Sequence, residues 1–559
     1  MPGLTSAPGS SVAVFGAGIA GLTVAHELAR RGHRVAVYES NTEAGGFFRS
    51  ARQAGSNLPT EYSWHGMGPW YHNVFDLMRE IPFDATGSLY DRALSRPIDF
   101  GIFPNAGPAE FYDRGPASIP RMFRWSAGEF VRWAWLMLKV WTAHHRTIED
   151  YASLNAAEAW RTRLRPTGHA TWRSCFGPWI GSDWTRVSLH TAGQFFCKQL
   201  TSRPPHPHSG DEDGPAWIHG AGSGWLLLKG PSTEFWFDPW VRHLRETGVT
   251  FTFSAPLEQL DFDGATKITG ARLASGALVT ADYFVVAANP FAVAGILART
   301  PALEQLGSLR CFRPLVQEGE HIQVSFRIAF AEAVRFPRAR TAVVVADSPF
   351  NLTLFAEEQV WKASVPLGDG VKSLWTGTSC AASVPGVIYG LPVCRCTKEQ
   401  FIDEIRAQIA ACGALDALVR EANGGRGLAD FPIREIEIWH EWEFSPHGIR
   451  SAQPKWVNTT KTQPHQPAQR TAVPNLLLAG AHTRTAADVW SIEAAVESGR
   501  RAAQAIDPRV RVAPQHHPRA FRLLGRIDDV FYRLKLPHVL DCLLFTGVVA
   551  TGVALYWLF

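Results

Sequence analysis

Residues 12–40, VAVFGAGIAGLTVAHELARRGHRVAVYES, read as a strand, a glycine turn, a helix and a second strand ending in an acid. Val12–Phe15 is a short apolar run of the kind buried inside a parallel sheet. Gly16, Gly18 and Gly21 then follow the G-x-G-x-x-G spacing. Each glycine has its own task. Gly16 permits the tight turn, Gly18 lets backbone approach a pyrophosphate, and Gly21 lets the helix lie close on the strand. Glu39 stands about 20 residues on, where a ribose diol would be held. Strand, helix and acid together separate this run from a βαβ unit that binds no dinucleotide. The fold class is therefore α/β, opening with a Rossmann-like domain.

A length of 559 residues exceeds what one hydrophobic core supports and implies two or more domains. The 21 tryptophans point to large apolar pockets or contact with a membrane interface. A net charge of +4 makes no case for nucleic acid as a partner. The eight cysteines lack zinc or secreted-framework spacing, and Cys394-x-Cys396 has no second pair, so reduced cytoplasmic thiols are the simple reading. The N-terminus has no basic-then-apolar signal sequence.

The chain offers a second anion-friendly feature far away. In QRTAVPNLLLAGAHTRTAADVWSIEAAVESGR, residues 469–500, an apolar strand over Leu476–Ala479 breaks at Gly480, and a helix opens at Ser491-Ile492-Glu493. A helix N-terminus with a capping serine and open backbone N–H groups suits an anionic or electron-rich group.

Several stretches resemble known enzymes. TEAGGFFRS, with Gly45-Gly46, resembles the double-glycine extension of FAD enzymes of the amine oxidase and carotenoid desaturase superfamily. Phe47 stands where those enzymes carry Arg or Lys, which leaves the cationic contact to Arg49. EYSWHGMGPWYHNVFDLM, residues 61–78, resembles the following segment of the plant and cyanobacterial type of phytoene and zeta-carotene desaturase. It matches at Glu61, His65, Tyr71, Asn73, Phe75, Leu77 and Met78, with Ser63 and Pro69 in place of glycines. LKGPSTEFWFDP, residues 228–239, resembles zeta-carotene desaturase at Leu228-Lys229-Gly230 and Pro239. The 469–500 run resembles the desaturase approach to a Leu-Ala-Gly strand end and a Met-Glu-Gly-Ala helix start. There Ala481 stands for an acid and Ala494 for a glycine.

The resemblance implies an FAD-binding domain of the glutathione reductase type, discontinuous over 1–78, 228–300 and 455–508. An α+β substrate domain is inserted from 79–227 and 301–454, and 509–559 forms a membrane-associating helical tail. The implied cofactor is FAD, held by Gly16, Gly18, Ala20, Gly21, Glu39, Gly45, Gly46, Arg49, Gly66, Met67, Leu257, Gly480, Ala481, Ile492, Glu493 and Ala494. Leu257 falls at the adenine, and the N–H groups of Ile492–Ala494 fall at the flavin pyrimidine edge. The implied activity is dehydrogenation of a lipophilic substrate, such as a carotenoid, another isoprenoid or a fatty acyl chain, by hydride transfer to flavin N5. Quinone or oxygen would accept the electrons. No catalytic side chain and no metal ligand is assigned. Trp490 and Trp439 are candidate pocket walls, although core residues would look the same. A flavin amine oxidase, an FAD-dependent lipid double-bond isomerase and a flavin-free binding protein are the alternatives.

At the other end, CLLFTGVVATGVALYWLF, residues 542–559, carries no charge, and it follows the basic amphipathic RAFRLLGRIDDVFYRLKL, 519–536. This order fits a tail on or in the cytoplasmic face of a membrane; a helix packed on the body is the alternative. FVRWAWLMLKVW, 130–141, is either a lipid-dipping segment or a buried helix. SRPPHPHSGDEDGP, 202–215, reads as a solvated loop rather than a metal site. IHGAGSGW, 218–225, lacks a strand–helix frame and reads as a loop rather than a nicotinamide site.

Overall fold

The computed structural model describes residues 9–62, 65–95, 100–111, 118–180, 183–202, 225–336 and 342–545. The leading apolar run forms β1 (Ser11–Phe15), which pairs in parallel with β2 (Arg34–Tyr38). Beyond β2 lies β3 (Thr250–Thr252); on the other side of β1 come β4 (Tyr283–Val286) and then β5 (Leu476–Leu478). The sheet order is β5-β4-β1-β2-β3, so three remote stretches of chain build one parallel sheet. Val12, Ala13, Val14 and Phe15 are no more than 2% exposed, as expected for a strand covered on both faces.

Six helices matter for the site: α1 (Ile19–Ala29), α2 (His72–Glu80), α3 (Ala127–Trp141), α4 (Leu189–Thr201), α5 (Ile492–Ile506) and α6 (Arg519–Arg533). Helices α1 and α5 pack against each other over the parallel sheet. Their close approach needs Gly499, because a Cβ there would stand 2.6 Å from the carbonyl oxygen of Ala20.

A second, mixed sheet occupies the inserted segments. Its spatial order is Ile433–Ile438, Val324–Phe330, Ser373–Ser379, Leu352–Ala356, Ala342–Val345, Phe100–Phe103 and Glu110–Phe111. Only the pairing of Ala342–Val345 with Phe100–Phe103 is parallel. A separate antiparallel sheet joins Leu257–Phe262, Ile268–Leu273 and Leu278–Val279.

The tryptophan-rich segment 130–141 lies inside α3, which starts at a reciprocal Ser126–Glu129 capping box. The helix buries Trp133, Leu136, Met137, Val140 and Trp141 against a core that includes Phe196 of α4. The buried-helix reading therefore describes its inner face. The tail packs against this helix: Trp135 Nε1 donates to Asp541 at 3.1 Å, and Phe521 stacks on the ring of the buried Trp141 at 5.8 Å. Helix α6 thus packs on the body, yet with its C-cap it exposes Leu523, Ile527, Val530 and Leu534 beside Arg522 and Arg526. Among the described residues, no helix is long and apolar enough to cross a membrane. Residues 546–559 of the uncharged run, and 203–224 with most of the two polar loops, lie outside the described residues.

Candidate functional site

A cavity of about 560 Å³ runs from the glycine turn after β1 to the start of α5. Its floor is backbone. Gly16 has φ +113°, and a Cβ there would stand 2.6 Å from the carbonyl oxygen of Ala287, so both conformation and space require glycine. Gly18 opens α1, and Gly46 approaches it so closely that a Cβ on Gly46 would lie 3.3 Å from the Gly18 Cα. The Gly45 N–H donates to the Ala17 carbonyl at 2.9 Å, locking the double glycine onto the first turn. Such a side-chain-free surface at a helix start is what a pyrophosphate needs.

Glu39 directly follows β2 beside this floor and lines the cavity. Its Oε2 accepts from Ala17 N at 2.6 Å and its Oε1 from Asn41 N at 2.8 Å. The far end is built by α5. Gly480 N donates to Ser498 Oγ at 2.9 Å, which fastens the end of β5 to the helix. Ser491 caps α5 by accepting from Ala494 N at 3.1 Å. No hydrogen bond among the described residues takes the N–H of Ile492 or Glu493, and Ile492 lines the cavity. Two donors are therefore open at the helix start rather than the three expected, because the capping serine consumes the third.

Eleven of the sequence-derived candidates line the cavity: Gly16, Gly18, Ala20, Glu39, Gly45, Gly46, Gly66, Gly480, Ala481, Trp490 and Ile492. The others stand outside the lining. Gly21 is a packing residue, since a Cβ there would lie 1.9 Å from the Gly16 carbonyl oxygen. Met67 is buried, its N–H bonded to Leu226 O at 2.8 Å. Leu257 opens the small antiparallel sheet and packs in that core. Arg49 is buried and engaged by Glu441, by Gly46 O at 2.8 Å and by Gln453 at 3.2 Å. Trp439, 1% exposed, lies beneath Arg49 in the core around the second, mixed sheet. Glu493 turns away to cap α2, accepting from Asn73 N and Val74 N at 3.0 Å each. Burial pushes its carboxyl up to about 7.

Sequence reading missed the polar corner of the cavity. Lys455 Nζ hydrogen-bonds Gln323 Oε1, and Gln323 Nε2 in turn donates to Cys380 Sγ at 3.3 Å. Lys455 sits in the strand Lys455–Trp456, antiparallel to Glu320–His321, so the pairing of two distant segments creates the corner. The local signal was a single lysine at the edge of an apolar run, and it names no partner. Burial lowers the Lys455 ammonium to about 8 and His482 to about 3, and it holds His65 well below its ordinary value. The remaining wall is aromatic, with Tyr62, Tyr71, Trp225 and Trp490.

The donor set fits FAD. The glycine floor would take the pyrophosphate, Glu39 the adenosine ribose, and the open N–H groups of α5 the electron-rich edge of the ring.

Comparison with known proteins agrees in both halves. Residues 14–81 match a family described as NAD(P)-binding Rossmann-like domain, and residues 434–507 match one described as flavin containing amine oxidoreductase. AofH of Mycobacterium tuberculosis, a protein described by similarity as a flavin-containing monoamine oxidase, is 39% identical over 75 residues, 13% of this chain and 16% of that protein. Zeta-carotene desaturase of Capsicum annuum is also 39% identical over 75 residues, 13% of this chain and 12% of that protein. The aligned part is thus less than a fifth of either relative's length. Cyclohexylamine oxidase from Brevibacterium oxydans superposes with a TM-score of 0.54 at 16% identity, covering 89% of this chain and 99% of that one. That likeness extends the shared fold to nearly the whole body.

Proposed function

Because the chain carries the fold of the FAD-dependent amine oxidase superfamily, we propose that it is an FAD-dependent oxidoreductase that dehydrogenates a lipophilic substrate. The observation that carries this reading is one cavity continuous from the glycine floor to an aromatic wall. The floor belongs to the first 46 residues, while Trp490 and Ile492 come from the other end of the chain. FAD, when bound, supplies a two-electron acceptor. The protein's part is to bind, to orient and to exclude water. Backbone at Gly16, Gly18 and Gly46 receives phosphate without side-chain interference. Tyr62, Tyr71, Trp225 and Trp490 offer apolar area on which a hydrocarbon chain is held against the ring, and positioning of this kind serves C–H cleavage without a nucleophile. A carotenoid, another isoprenoid or a fatty acyl chain suits such walls, and a quinone or oxygen completes the turnover.

The same reading extends to location. On α6 and its C-cap, Leu523, Ile527, Val530 and Leu534 are exposed at helical spacing, and Arg519, Arg522, Arg526 and Arg533 are exposed with them. An apolar row edged by arginines suits the interface of an anionic bilayer, which supports a cytoplasmic membrane face as the working site.

A second reading, oxidation of an amine, is favoured by the local identity to a monoamine oxidase. Anaerobic incubation of the purified protein with carotenoid, isoprenoid, fatty acyl and amine candidates decides between them. A lipophilic dehydrogenation bleaches the flavin one-for-one with product. Bleaching by amines alone would refute the lipid reading, and product formation without bleaching would reveal an isomerase.

A further inference from the structure

The cavity wall holds an asymmetry of charge that the proposed reaction does not use. Among the described lining residues, Lys455 is the one cationic side chain and Glu39 the one carboxylate. Glu39 is committed to the N–H groups of Ala17 and Asn41 beside the glycine turn. Lys455 stands in the polar corner with Gln323, whose amide is oriented by a second hydrogen bond to Cys380. That chain of bonds turns the amide oxygen toward the ammonium. The titratable groups facing Lys455 are His65, His321 from the paired strand and Cys380. Burial keeps both imidazoles uncharged near neutrality and pushes the Cys380 thiol up to about 11; behind the described lining, Arg327 faces His65, Arg186 faces His321 and Asp183 faces Cys380, so Lys455 carries the positive charge that the lining itself presents.

Resting on the FAD-oxidoreductase reading, we propose that Lys455 is a specificity-determining residue that selects substrates bearing an acidic head group, typified by a carboxylate, on an apolar chain. A buried ammonium beside an amide gives an oxyanion a charge-assisted hydrogen bond, and the aromatic wall takes the hydrocarbon. A protonated amine entering the same corner meets like charge in a poorly screened site. The corner thus separates two kinds of substrate that the shared fold alone does not.

The test measures binding rather than turnover. Decanoate, decanol and decylamine share one chain length and differ in head group. Their affinities for the FAD-loaded protein are measured by calorimetry at pH 7 and pH 9.5, for wild type, Lys455→Met and Lys455→Gln. Decanoate should bind about tenfold or more tighter than decanol, and decylamine weakest. Both substitutions should bring decanoate level with decanol while flavin content is kept. The wild-type preference should fall as pH rises through about 8, where Lys455 loses its proton. Equal affinities in the wild type, a preference for decylamine, or a decanoate preference that survives both substitutions overturns the assignment. Flavin content is read on the same samples: a flavin-free wild type overturns the FAD reading, whereas a flavin-bound protein indifferent to head group overturns the role of Lys455 alone.

Discussion

The Glu39 carboxylate accepts the backbone N–H of Ala17 at 2.6 Å, tying the end of β2 to the middle of the glycine turn. The acid therefore holds the turn in shape as well as facing the ribose position. Replacing Glu39 with Ala leaves that buried N–H without its partner and removes the acceptor for the ribose. The FAD dissociation constant should rise about 10- to 100-fold, read by fluorescence titration of the stripped protein. An unchanged constant would separate Glu39 from the cofactor.

Two glycine-to-alanine changes should behave oppositely. At Gly21 an added Cβ would lie 1.9 Å from the Gly16 carbonyl oxygen, so the helix cannot keep its seat on the strand. Gly21→Ala should lower the melting temperature sharply and strip the flavin. Gly295, inside the helix Pro290–Ala298, has nothing within 4 Å of an added Cβ. Gly295→Ala should raise stability by up to about 1 kcal/mol through helix propensity. Thermal unfolding of the pair checks both.

Buried carboxylates make stability depend on pH. Arg327 bridges Glu61 at 3.0 Å and Glu357 at 3.2 Å, while burial raises Glu437, another neighbour, to about 7 despite the arginine. A raised carboxyl keeps its proton in the folded state after the unfolded chain has lost it. Its contribution is thus full at low pH and declines as pH rises from the ordinary carboxylate range through about 7. Glu437→Gln mimics the protonated acid. The substitution should be nearly neutral at pH 5 and stabilising by a few degrees at pH 8; equal effects at both would contradict this origin.

The apolar row on α6 gives a prediction of its own. Leu523 and Val530 are 60% and 53% exposed, so glutamates there should leave the melting temperature unchanged. The double change Leu523→Glu, Val530→Glu should abolish flotation with vesicles containing anionic lipid, and raised salt should weaken flotation of the wild type. Undiminished flotation of the variant would remove α6 from the membrane surface.

What was legible in the sequence was local. The strand before Gly16, the turn and the Ser491 cap are each encoded within a few residues, and the structure places them as the spacing predicts. Arg49 shows the limit: its position near the double glycine suggested cofactor contact, but Glu441, remote in the chain, claims it. Glu493 is similar, since nothing near the start of α5 announces that α2 lies within reach of its side chain. Trp439 was chosen for residue type, and type does not separate a pocket wall from a core. Lys455 was missed because its surroundings arise from the pairing of Glu320–His321 with Lys455–Trp456. Position along the chain identifies a backbone motif; long-range pairing decides which side chains share a cavity.

The central claim is that both ends of the chain enclose a single FAD. A crystal structure of the protein loaded with FAD tests it most directly. The dinucleotide should stretch from Glu39 across Gly16, Gly18 and Gly46 to the start of α5 at Ile492, its ring beside Trp490. Flavin density elsewhere, or a cavity that remains without it at saturating FAD, would contradict the account.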